Sequence, residues 1–148
     1  MNPAPQLDAL ARELTTFIDL LEQESAALAA NQADALGPLT TQRDGMNRRI
    51  ASLWLNLTGS LGLPGSSPFS TLGERCLALA PDAWRQVEEL ARHAERMNRL
   101  NSRLIDEQLR RTQVAVQVLR NAAGGRTLYD ADGRVSDLFQ SNRSIDSA

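Results

Sequence analysis

Side chains able to do chemistry are few in this sequence, and they are scattered. His93 and Cys76 are the only histidine and the only cysteine among 148 residues, and neither has a second ligand at metal-binding spacing. Asp130, Asp132 and Asp137 imitate a calcium loop, but Gly133 falls at its fourth position instead of the sixth. Ser141 stands where the bidentate glutamate belongs, so a solvated acidic turn is expected. Nucleophilic catalysis needs a base held beside the nucleophile. Cys76 is instead surrounded by Leu77, Ala78 and Leu79, the setting of a small buried residue, and His93 lies on another element, at the surface. The paired carboxylates Glu88-Glu89 are followed by Arg92 and Arg96, which i,i+4 ion pairs explain. Gly124-Gly125 belongs to no phosphate-binding motif. The expectation is a protein with no catalytic residues, no metal and no cofactor.

What positions these residues is a helical chain of single-domain length. Leu and Ala supply 43 residues, against nine Val and Ile and six aromatics, a balance that favours helix over sheet. The formal charge of −2 gives no global field toward nucleic acid or anionic membrane. All 16 basic residues are Arg, a bias that suits bidentate ion pairs and that a GC-rich genome also produces. A single cysteine fits a reducing compartment. The opening Met-Asn-Pro-Ala-Pro-Gln lacks the basic and apolar regions of a signal peptide, and no apolar run is long enough to span a bilayer. A cytoplasmic location is expected.

Apolar spacing places three long helices. Leu7, Leu10, Leu14, Phe17, Leu21 and Leu28 recur at three- and four-residue steps, with Glu24 interrupting, and predict a helix over about 6–30. A second, over about 36–58, has Leu39, Met46, Ile50, Leu53 and Leu57 as its seam, with Arg43 intruding. The short connection makes these two an antiparallel hairpin. Residues 59–81 are rich in Gly and Pro and read as an irregular connection, within which Phe69, Leu72, Leu77 and Leu79 suggest a short helix. A long third helix is expected over 82–123, ended by Gly124-Gly125, with a flexible tail over 124–148 that contains a possible hairpin at Asp132-Gly133. The fold class is therefore all-α: a helical hairpin packed on a long third helix, as a three-helix, coiled-coil-like bundle.

Along the third helix Trp84, Val87, Ala91, Ala94, Asn98, Asn101, Ile105, Thr112, Ala115 and Leu119 keep one rhythm, broadened by Leu90, Met97 and Leu104. Asn98 and Asn101 fall on this seam, where asparagine either fixes helix register or hydrogen-bonds a ligand backbone. The hairpin is too short to cover the whole helix, so residues 105–123 lack partners. Val114, Val116, Val118 and Leu119, rimmed by Arg110 and Arg120, are then a candidate surface for a second partner. An oligomer seam, for example a homodimer, or cover by the chain's own tail are the alternatives. The Arg residues of this helix are offset by Glu and Asp with no aromatic interleaving, which argues against nucleic-acid binding.

Several segments in chain order resemble the flagellar export chaperones of the FlgN family: Leu20-Leu21-Glu22-Gln23-Glu24, Asn31-Gln32-Ala33-Asp34-Ala35-Leu36, Met97-Asn98-Arg99-Leu100-Asn101, and Ala122-Ala123-Gly124-Gly125 followed by Tyr129-Asp130-Ala131-Asp132-Gly133. The Gly/Pro-rich connection containing Phe69 departs from that pattern. The resemblance implies a cytoplasmic chaperone that holds the C-terminal segments of hook–filament junction (hook-associated) proteins before type III export. It also implies that a C-terminal aromatic, here Tyr129, docks at the export-gate membrane protein. Folding of Tyr129 back onto the bundle is the structural alternative, and a non-enzymatic coiled-coil adaptor or oligomerisation module is the alternative function.

Overall fold

The computed structural model describes residues 1–127, which form four α-helices and, among the described residues, no strand. These are α1 (Ala4–Ala29), α2 (Ala33–Ser60), α3 (Phe69–Leu79) and α4 (Pro81–Thr127). The chain divides into two compact units, Met1–Leu104 and Ile105–Ala148, so α4 contributes its first part to one and its second part to the other.

In the first unit α1 and α2 run antiparallel. Three side-chain pairs fix the direction: Arg43 Nη1 to Glu24 Oε2 at 3.3 Å, Arg49 Nε to Glu13 Oε2 at 3.4 Å, and Ser60 Oγ to Gln6 Oε1 at 2.8 Å. Local chemistry makes the turns. At the end of α1 Asn31 takes a φ of 55°, while the Gln32 N–H reaches Ala27 O at 2.9 Å and the Asn31 N–H reaches Leu28 O at 3.2 Å. This Schellman arrangement requires a left-handed residue, and asparagine accepts that conformation better than other side chains do. Gly62, at φ 69°, closes α2 in the same way, with Leu63 N–H on Thr58 O at 2.9 Å.

The α1 seam is buried as its spacing requires, including Glu24, which is only 4% exposed and is met by Arg43 of α2. A charge placed in an apolar stripe needs such a partner. α2 starts at Ala33, ahead of the expected position, and carries Pro38 inside it. Proline there removes the N–H that would bond to the carbonyl of Asp34, in the exposed first turns of the helix.

The connection expected to be irregular over 59–81 contains α3, an 11-residue helix. Leu72, Cys76 and Ala80, four residues apart, turn one face into the core beside Leu7, Leu10, Leu14, Leu57, Trp84 and Val87. Phe69 starts α3 and lies between two tryptophans, stacked on Trp54 at 5.4 Å with planes 2° apart and tilted against Trp84 at 5.0 Å. Gly73 is where α3 meets α4: a Cβ there would stand 2.8 Å from Trp84 Cζ2, so a side chain at this position collides with the ring. A second cluster gathers Phe17, Ile18, Leu20, Leu21, Met46 and Ala94. Gly124-Gly125 does not end the last helix, which runs on to Thr127. Glycine ends a helix only where the chain adopts the left-handed turn, and inside one it lowers propensity by about 1 kcal/mol.

Candidate functional site: the exposed face of α4

Within the first unit α4 buries Trp84, Val87, Ala94 and Asn101. Asn101 is 1% exposed and donates from Nδ2 to the carbonyl of Leu21 at 3.0 Å, while its Oδ1 and the Oε1 of Glu24 have no partner. The two asparagines expected on one seam separate, because Asn98 is exposed. Three residues of α-helix turn the side chain about 60° away from a full rotation. The half-buried residues next to Asn101 are Met97 and Leu104, on its other flank, and this carries Asn98 off the core.

Every large apolar residue from Ile105 to Leu119 is exposed, between 41% at Val116 and 68% at Leu119. At roughly 100° per residue these do not share one face. Ile105, Leu109, Thr112, Val116, Leu119 and Ala123 follow steps of four, three, four, three and four residues and form a single stripe. Val114 and Val118 lie on the opposite side of the helix, where a shallow hollow of ≈ 550 Å³ is lined by Glu107, Arg110, Arg111, Val114 and Ala115. The four residues read from the sequence as one surface are therefore two pairs. Val116 and Leu119 sit on the stripe with Arg120 at its edge, and Val114 and Val118 sit with Arg110 behind it. Ile105 kept the rhythm in the sequence but was not assigned to the surface, and Leu109 was missed altogether. A strict count of three- and four-residue steps from Leu119 backwards would have found both.

Cys76 is fully buried in the first unit, and burial raises its thiol above the ordinary value of 9.0, which suppresses the thiolate that would react. His93 is half-buried on α4. Glu88 is held by Arg92 at 2.8 Å and Glu107 by Arg111 at 2.7 Å, the i,i+4 pairs expected of a solvated helix. Among the described residues no group of three His, Cys, Asp or Glu could hold a metal ion, and no helix is long and apolar enough to cross a membrane. Tyr129 and the Asp132-Gly133 hairpin lie outside the described residues.

Fold and surface thus define an all-helical protein whose long last helix presents an uncovered apolar stripe. A family model described as FlgN protein matches residues 3–137, and the chain belongs to the FlgN family, a family of flagellar export chaperones. None of the curated proteins and none of the solved structures compared with the chain matches it.

Proposed function

We propose that this protein is a cytoplasmic chaperone of the flagellar type III export apparatus. In this reading it binds the C-terminal segments of hook–filament junction proteins, keeps them from assembling early and helps deliver them to the export gate. The α1–α2 hairpin packed on α4 is the scaffold, and the work is binding, with no catalytic step. The observation that carries the reading is the stripe Ile105–Leu109–Val116–Leu119, exposed on a helix of a family whose members escort flagellar proteins. An apolar stripe of this width fits an amphipathic client helix by helix-in-groove packing. Burial of the stripe against a matching one contributes about 6–10 kcal/mol gross. Ordering a flexible client returns about 2–5 kcal/mol or more, which leaves binding reversible without any hydrolytic step.

Calorimetric titration of the full-length protein with those C-terminal segments tests the proposal. Val116→Asp plus Leu119→Asp is expected to weaken binding at least tenfold, while Val114→Asp plus Val118→Asp, on the other side, changes it less than about threefold. Equal losses for the two pairs would break the single-stripe assignment, and no binding by the folded wild type would sink the function. Tyr129 is proposed as the contact to the export-gate membrane protein. Tyr129→Ala should then keep client affinity and lose binding to the gate protein; loss of both would mean a structural role.

A further inference from the structure

We infer that residues 33–45, the first turns of α2, are a strap that opens from α1 while the rest of the first unit stays folded, hinged at Gly45 and latched by the ion pair of Arg43 with Glu24. The two arms of the hairpin are buried unequally where they meet at the turn. The last turns of α1 bury Leu20, Leu21, Glu24, Ala27 and Leu28, whereas α2 has no buried residue before Met46.

Sequence chemistry weakens the same stretch of α2. Gln32 at its N-cap makes no side-chain cap bond, so the opening amides lack the partner that Ser, Thr, Asp or Asn supplies. Gly37 and Gly45 lower helix propensity, and Pro38 removes one bond from the ladder. Neither glycine is required by space. A Cβ at Gly37 would meet nothing within 4 Å, and one at Gly45 would meet Arg49 Nη1 at 3.8 Å, an ordinary contact. What the two glycines give the segment is backbone freedom.

Two side chains hold the strap down. Leu39 packs, half-buried, against the cluster that contains Phe17, Leu21 and Met46, and Arg43 reaches Glu24 Oε2 at 3.3 Å. The latch is weak for a contact so deeply placed. Glu24 is 4% exposed and its Oε1 has no donor, so the buried carboxylate is only half satisfied. Opening returns both of its oxygens and the guanidinium to water, which offsets much of the attraction that is lost. Beyond Gly45 the helix is anchored differently: Met46 and Leu57 enter the two clusters, and Trp54 stacks on Phe69 at 5.4 Å. A segment with few buried contacts, next to one with many, opens locally. The open strap uncovers the side of the cluster that Leu39 covers, an apolar face with the Glu24 carboxylate at its rim.

Amide hydrogen exchange of the full-length protein, read by mass spectrometry, tests the strap. Amides 39–45 are expected to be protected about tenfold less than amides 47–58, or less still. Gly37→Ala plus Gly45→Ala should raise the protection of 39–45 about tenfold, and Arg43→Ala should lower it by a similar factor. Gly73→Ala pushes on Trp84 in the other cluster, so it should lower the protection of 47–58 and leave 39–45 unchanged. Equal protection on the two sides of Gly45 in the wild type overturns the proposal. So does a Gly73→Ala effect of one size on both segments, because the strap would then open only when the whole unit unfolds. Protection of 39–45 that ignores both the glycine pair and Arg43→Ala overturns it as well, since neither hinge nor latch would govern the opening.

Discussion

α4 is one helix with two fates. Up to Leu104 its apolar row is taken into the core: Trp84, Val87 and Ala94 are buried among residues of the other helices. From Ile105 onwards the same three-four rhythm continues, yet each large apolar residue through Leu119 stays exposed. Periodicity therefore shows that a helix has an apolar face and says nothing about what covers it. The chain could have ended the rhythm where the core ends. It continues for more than two further heptads, uncovered among the described residues, and this is the face that the proposed function uses.

This contrast can be broken most strongly at Trp84. Trp84→Ala should destabilise the protein by about 3–5 kcal/mol in urea denaturation, because it empties a core site and strips Phe69 of one ring neighbour. Leu119→Ala should change stability by less than about 0.5 kcal/mol, as an exposed substitution does. Similar costs for both would mean that the two stretches of α4 are not differently covered. Next in size, Gly73→Ala should cost about 1–3 kcal/mol, since its methyl group must push Trp84 aside. The near-UV signal of the tryptophans should change with it.

A finer division separates the two asparagines. Asn101→Ala should lose about 1–2 kcal/mol, through the hydrogen bond to Leu21 and a small void, and Asn98→Ala should be neutral within about 0.5 kcal/mol. Equivalent effects in thermal melts would restore the expectation that both lie on the seam. The smallest effect is the pH dependence contributed by Cys76. Its folded value is raised by burial, so its contribution to stability is complete below the ordinary thiol value of 9.0 and is lost as pH rises through the raised folded value. Cys76→Ala should flatten the stability profile above that pH, and an unchanged alkaline slope in the variant would show that the thiol is not its cause.

The fold was legible where one side chain's chemistry acts locally. The α1 seam, the antiparallel α1–α2 hairpin and the burial of Cys76 follow from spacing, from a short connection, and from apolar neighbours. The Gly/Pro-rich connection was legible only in part, since the 11 residues of α3 are held by Trp54 and Leu7 from other helices as well as by the nearby Trp84. The arrangement of the proposed surface was legible only in part. Val116, Leu119 and Arg120 belong to one edge and face, but Val114 and Val118 were joined to them by adjacency in sequence, which on a helix means the opposite side.

The sequence by itself determined that this chain is helical and that the helix after Pro81 is apolar beyond the needs of a hairpin. These are properties of composition and period, and they do not depend on neighbours. Tertiary structure alone decided that Asn101 and not Asn98 enters the core, that Glu24 is buried against Arg43, and that the apolar residues of α4 after Leu104 remain in solvent. The physical reason is that burial belongs to the pair of surfaces that meet, and one strand of sequence carries only one of them.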